Sequence, residues 1–214
     1  MRIGVQGTGA VGKAIGTKLV ELEHEVTMGS RTADNQQAAE WAAAAGERAA
    51  HGTFEDAAAS GELVFNCTAG TASLEALRAA GEENLAGKIL VDVSNALDFS
   101  QGTPPILAVC NIDSIGEQIQ RFFPETRVVK TLNTVNNQVM VDPGQVAGDH
   151  HMFVCGNDDA AKEEVRELLQ SFGWERFLDL GDISAARGME MYLPLWVRLI
   201  EVVGTPVFNI KVAV

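Results

Sequence analysis

"IGVQGTGAVG", residues 3–12, is the stretch from which the rest of the chain can be read. Ile3-Gly4-Val5-Gln6 has the length and character of a short buried strand. Gly7-Thr8-Gly9-Ala10-Val11-Gly12 then spells G-x-G-x-x-G. Beyond it Val11, Ala14, Ile15, Leu19 and Leu22 recur at helical spacing, which predicts a helix over about Ala10–Leu22. In a strand–turn–helix setting the three glycines differ in what they allow. The first permits the tight turn, the second lets a pyrophosphate approach the backbone, and the third packs helix on strand. The free N–H groups at the helix start favour an anion. Alone, the motif is weak and a turn that merely packs is the competing reading. Its place after a strand and before an amphipathic helix is what points to a dinucleotide.

The next strand ends in "HEVTMGSRTAD", residues 24–34. A carboxylate about twenty residues after the glycines takes the ribose 2′-hydroxyl of NAD. Here Ser30 and Arg31 stand instead. An arginine fork suits a 2′-phosphate, and Thr8 can add a hydroxyl. The reading is a preference for NADP(H) over NAD(H), against a merely solvated loop arginine.

Farther along, Thr32 is expected to cap a helix running to Ala45, which Gly46 ends. Short strands are expected near 47–51, 63–67 and 88–93, separated by helices near 54–59 and 71–80. Alternating strands and helices of this size imply a doubly wound, mostly parallel, Rossmann-like α/β sheet. Past residue 95 the rhythm breaks. The stretch 97–105 reads as loop, and helices are expected at 115–123 and 159–172. Strands are expected at 127–132, 152–155 and 176–180. One long apolar helix over 184–203 and a strand over 208–212 should close the chain. The expected division is a nucleotide-binding unit over 1–180 and a small C-terminal region over 181–214. That region either covers the site or packs on a second subunit, making a homodimer.

Composition narrows the function. Sixteen Lys and Arg oppose 29 Asp and Glu, for a net charge of −13, which disfavours nucleic acid and anionic membrane as partners. Within residues 1–31, four cations face three glutamates, so this segment can still receive an anion. Cys67, Cys110 and Cys155 are odd in number and widely spaced, as expected of reduced thiols. Met1 runs directly into a strand, leaving no room for a signal peptide. The apolar stretch 189–214 is broken by Glu190, Pro194, Arg198, Glu201 and Gly204 and is a poor membrane span. The expected location is the cytoplasm.

Taken together, Gly7–Gly12, Gly29-Ser30-Arg31, "VDVSNAL" (91–97), "VVKTLNTVNNQVM" (128–140), "FVCGNDDAAKEEV" (153–165) and "LPLWVRL" (193–199) form an ordered set over nearly the whole chain. The set resembles the coenzyme F420-dependent NADP oxidoreductase family, whose fold also forms the NADPH-binding domain of the Steap metalloreductases. The resemblance implies that Gly7, Thr8, Gly9, Ala10, Val11 and Gly12 hold the pyrophosphate, and that Ser30 and Arg31 hold the 2′-phosphate. It implies that Thr68 and Ala69 lie beside the cofactor and Asn95 near the nicotinamide. Asn133, Thr134, Val135 and Asn136 match the segment that lines the deazaflavin pocket. The chain departs from the archaeal pattern, which often has a histidine at the position of Asn133 and a proline at that of Asn136. Asn35 stands where a lysine would help with the 2′-phosphate.

Hydride transfer between two stacked rings needs orientation and exclusion of water, and no side-chain nucleophile. No catalytic residue is therefore assigned. His150 and His151 are adjacent and point apart on a strand, so no metal site is expected. Cys67 and Cys155 read as structural thiols, and Lys130 as a structural lysine rather than a proton donor. The expected activity is transfer of a hydride between NADPH and coenzyme F420 or a flavin. A reductase of a small carbonyl, imine or quinone is the alternative, and a non-catalytic NADP(H) sensor the second.

Overall fold

A computed structural model describes residues 1–213. The nucleotide-binding half runs β1 (Arg2–Gln6), α1 (Ala10–Glu21), β2 (Glu25–Ser30), α2 (Gln36–Ala45), β3 (Ala49–Thr53), α3 (Phe54–Ser60), β4 (Leu63–Asn66), α4 (Gly70–Ala80), α5 (Glu82–Leu85) and β5 (Ile89–Asp92). Then follow β6 (Leu97–Asp98), β7 (Ile106–Leu107), α6 (Ile115–Phe122), β8 (Arg127–Thr131), α7 (Asn137–Val141), β9 (Met152–Gly156), α8 (Asp159–Ser171) and β10 (Phe177–Asp179). A 3-10 turn over Ile183–Ala185 leads into α9 (Ala186–Met191) and α10 (Leu193–Val203).

Eight strands form one sheet in the order β10-β9-β8-β5-β4-β1-β2-β3. Every pair is parallel except β8 with β9. The expected doubly wound α/β class is what the structure has. Both faces of the sheet are covered, so the central strands are apolar on both sides. Ile3, Val5, Phe65 and Val91 pack beneath α1, α2, α7 and α8. Val64, Leu90 and Val128 point the other way, into a core with α3, α4, α6 and α9. Strand order reverses at β1 and β4, and the glycine turn leaves β1 there, at the carboxyl edge where such sheets bind ligands.

Several expectations change in detail. Asn35, not Thr32, caps α2: its side chain accepts from the Ala38 amide at 3.0 Å. Asn is among the best caps, and Ser30 already holds the Thr32 carbonyl. The 97–105 loop contains half of a small antiparallel hairpin, β6 with β7. The two shortest helices, α5 and α7, are too brief to leave a periodic signature. The single terminal helix is two helices meeting at Tyr192, because Pro194 lacks an N–H and belongs in a first turn. No strand forms over 208–212. β9 already has β8 and β10 on its two sides, so the segment reaches only its entrance, where the His151 amide donates to the Ile210 carbonyl at 3.1 Å.

Candidate functional site

Gly7 adopts φ +115°, a conformation that a side chain disfavours. A Cβ on Gly12 would collide with the Gly7 carbonyl, whereas one on Gly9 would meet no atom within 4 Å. The turn is thus closed beneath and open above. No side chain caps the start of α1. These features fit a bound pyrophosphate.

A cleft of about 540 Å³ opens beside the turn. It is lined by Gly7, Thr8 and Gly9 from the turn, Ser30 and Arg31 from the end of β2, and Thr68 and Ala69 after β4. Sequence reading put these residues together, and the fold brings them onto one cleft. Ala10 sits exposed in the first turn of α1, Val11 faces the neighbouring cavity, and Gly12 is buried under the turn. Arg31 is exposed and belongs to no ion pair among the described residues. Ser30 differs: it is 4% exposed and its hydroxyl donates to the Thr32 carbonyl at 2.6 Å. Its hydrogen already has a partner, so Arg31 is the freer donor of the two.

Cys67 and Thr68 also border a second cavity of about 280 Å³, so the two hollows adjoin. Asn95, Asn133, Val135 and Asn136 line the second, with Leu97, Met140, Leu193 and Trp196. Thr134 does not: it is 1% exposed, behind the wall. Asn95 and Asn133 hold each other. The Asn95 amide donates to the Asn133 carbonyl at 2.9 Å, and the Asn133 amide donates to Asn95 Oδ1 at 3.0 Å and to the Met189 carbonyl at 3.2 Å. The ends of β5 and β8 are thereby tied to α9.

Behind this wall runs a buried polar chain. Thr68 donates to Asn66 Oδ1 at 2.7 Å, and Asn66 donates to Asp92 Oδ1 at 2.8 Å. Lys130 Nζ reaches Asp92 at 2.8 Å, the Ser94 carbonyl at 2.6 Å and Glu190 at 2.8 Å, with no exposed surface. Glu190 also accepts the first amides of α6, Ile115 at 2.9 Å and Gly116 at 3.1 Å. Burial by itself lowers the Lys130 pKa, but Asp92 and then Glu190 outweigh it and the net shift is upward. A lysine so engaged keeps its proton, as expected of a structural residue rather than a donor. Burial, then the Asp92 charge, pushes the Cys67 thiol up, and burial pushes Cys155 up to about 12. Neither is a nucleophile at neutral pH.

The histidine pair is occupied with packing. His150 meets Trp174 edge-on at 5.3 Å and contacts the Pro143 carbonyl through Nε2 at 3.2 Å. His151 Nδ1 lies 3.2 Å from the Val212 amide. The sequence reading gives Asp92 and Asn66 no role and counts Glu190 only as a charge that breaks an apolar stretch, although a charge or amide inside "ILVDV", "MEMYL" and "LVFN" is the signal that marks them. Phe54 and Glu75 in the first cleft left no such mark.

Fold and glycine turn define a Rossmann-type dinucleotide-binding protein. The pattern of the family described as NADP oxidoreductase, coenzyme F420-dependent, matches residues 2–96. A crystal structure from Arthrobacter sp. FB24, of a candidate F420-dependent NADP-reductase, is 53% identical over 99% of both chains with a TM-score of 0.94. The F420-dependent NADP reductase of Methanocaldococcus jannaschii is 30% identical over 146 residues, 68% of this chain and 65% of that protein. Metalloreductase STEAP3 of Rattus norvegicus is 28% identical over 199 residues, 91% of this chain. The chain spans 38% of that protein's length. The chain belongs to the coenzyme F420-dependent NADP oxidoreductase family.

Proposed function

We propose that the protein transfers a hydride between NADPH and a flat, flavin-like acceptor, coenzyme F420 first and a flavin second. One observation carries the reading: the two hollows adjoin at Cys67 and Thr68, one beside a glycine turn with an exposed arginine, the other walled by amides and apolar side chains. NADPH, when bound, supplies the hydride. In this reading Gly7–Gly12 hold the pyrophosphate and Arg31, with Ser30, takes the 2′-phosphate. Thr68, Ala69 and Asn95 border the nicotinamide. Asn133, Val135 and Asn136 hold the acceptor ring, with Thr134 supporting them from behind. The protein's contribution is alignment and exclusion of water. Carbonyl or imine reduction calls for a positioned acid. Lys130, which precedes this wall, is fully engaged, and that favours ring-to-ring transfer.

We read residues 181–214 as the region that closes the acceptor cavity, the assembly as a homodimer and the location as the cytoplasm. The test is stopped-flow absorbance of the nicotinamide band after NADPH is mixed with F420, FMN, FAD or a quinone. Rapid oxidation by F420 or a flavin is expected. Oxidation by the quinone or by added imines and carbonyls alone would replace the acceptor. Tight NADPH binding with no oxidation by any of them would leave a sensor.

A further inference from the structure

His150 and His151, at the entrance of β9, line neither hollow. What they hold is the tail after α10. Asn209 Nδ2 donates to the His151 carbonyl at 2.9 Å and lies 3.0 Å from His150 Nδ1, while Asn209 Oδ1 accepts from the Ile210 amide at 2.8 Å. The side-chain amide cannot turn over without setting its oxygen against that carbonyl, so His150 Nδ1 is an acceptor. His150 Nε2 faces the Pro143 carbonyl at 3.2 Å and must carry the hydrogen. On the neighbouring ring, His151 Nδ1 accepts from the Val212 amide at 3.2 Å. Each imidazole therefore fits its tail partner only with Nδ1 unprotonated, and a proton there would set N–H against N–H. The tail in turn reaches the acceptor cavity. Phe208, next to Asn209, stacks on Trp196 with ring centroids 5.9 Å apart and planes at 30°. Trp196 lines the cavity, and its indole N–H is buried without a partner among the described residues, so no hydrogen bond of its own fixes the ring.

We infer that His150 and His151 are positioning residues for the acceptor cavity: they latch the tail over 208–212, the tail holds Trp196 in the cavity wall, and the latch is closed while both imidazoles are neutral. The inference rests on the reading that residues 181–214 close this cavity. Histidine is the side chain that ordinarily changes charge between about pH 5 and 8. A latch made by neutral rings is intact above that change and opens below it, because a released tail leaves the rings free to take the proton. The charges around the pair are balanced. Asp149, Glu175 and Arg176 share a hollow with His150, and Asp149 pairs with Arg176 at 3.2 Å and with Lys211 of the tail at 3.4 Å. Asp142, before the turn that carries Pro143, accepts from Gln145 Nε2 at 3.2 Å. Two carboxylates thus stand with two cations beside the rings, and the hydrogen-bond partners decide which form of each ring fits.

Amide exchange and NMR on the full chain at two pH values test the latch. Exchange over 207–212, corrected for the intrinsic effect of pH, should quicken about tenfold from pH 7.5 to pH 5.5, the worth of one hydrogen bond. The Trp196 indole N–H signal, assigned by its loss in W196F, should shift over the same range. H150N/H151N keeps an acceptor where each Nδ1 stood and takes up no proton, so both pH effects should vanish. H150A/H151A should show the shifted signal and fast exchange at both pH values. At pH 7.5 the alanine pair should raise KM for F420 about tenfold with kcat and NADPH affinity unchanged, and the asparagine pair should restore KM. Exchange and an indole signal that ignore pH, or that still respond to it in H150N/H151N, overturn the latch. A latch that opens with KM unchanged overturns the positioning role. Neither exchange nor the indole signal needs an acceptor, so both decide the latch even where F420 is not turned over, a result that overturns the proposed acceptor alone.

Discussion

Arg31 has an exposed guanidinium with no partner among the described residues, while Ser30 beside it has already given its hydrogen to Thr32. Discrimination between the two nicotinamide cofactors therefore rests on one fork. Arg31→Asp should weaken NADPH by about tenfold to a hundredfold, the range of a charged hydrogen bond, and NADH far less, in a fluorescence titration. Equal losses would remove the 2′-phosphate from Arg31. Lys130 illustrates the opposite case, a charge that never meets a ligand. Lys130→Met leaves Asp92 and Glu190 buried without their cation, a loss of about 3–5 kcal/mol that a urea titration would report. A variant as stable as the parent would mean that one of the carboxylates takes up a proton at little cost. Arg31 could be found from the sequence because its meaning depends on spacing from a glycine motif. The partners of Lys130 could not, because Asp92, Lys130 and Glu190 lie far apart in the chain and meet only when β5, β8 and α9 pack.

At the scale of elements, caps and charges at helix ends decide local stability. Asn35→Ala removes the side chain that holds the Ala38 amide and should cost about 1 kcal/mol by thermal denaturation. A change no larger than error would return the capping role to Thr32. Asp158 caps α8 through the Ala161 amide and pairs with Arg127 at 2.7 Å. The Arg127 hydrogen bond, then the Ala161 amide, hold its carboxyl at about 2, below the usual 3.8. A depressed carboxyl contributes stability above its unfolded value and loses it as the pH falls toward the folded one. The melting temperature should drop between about pH 4 and pH 2, and Asp158→Asn should flatten that drop while lowering stability at neutral pH. An unchanged acid profile would assign the loss to other carboxylates. Strands and long helices of the first half could be read because alternation and helical period are local. The reversed strand β9 and the break at Tyr192 could not be placed in the same way. Strand direction follows from packing, and 184–203 is apolar on too many sides for its period to show a break.

For the whole molecule, the C-terminal stretch is not a loose appendage. Ile183, Ala186 and Met189 enter the core beneath the sheet, and Glu190 completes the Lys130 pair. A chain ended after Leu180 should lose its cooperative melt by circular dichroism, while one ended after Tyr192 should keep it. If both melt alike, the buried pair contributes nothing to cooperativity. The first cleft is lined by residues between Gly7 and Ala79, whereas the second needs Leu193 and Trp196. A chain leaving the ribosome amino end first has all the side chains of its nucleotide cleft when less than half of it has been made. The acceptor cavity gains its last wall only near the end of synthesis. The nucleotide cleft is thus written wholly into the first half of the sequence, whereas the acceptor cavity waits for the last helix to be made.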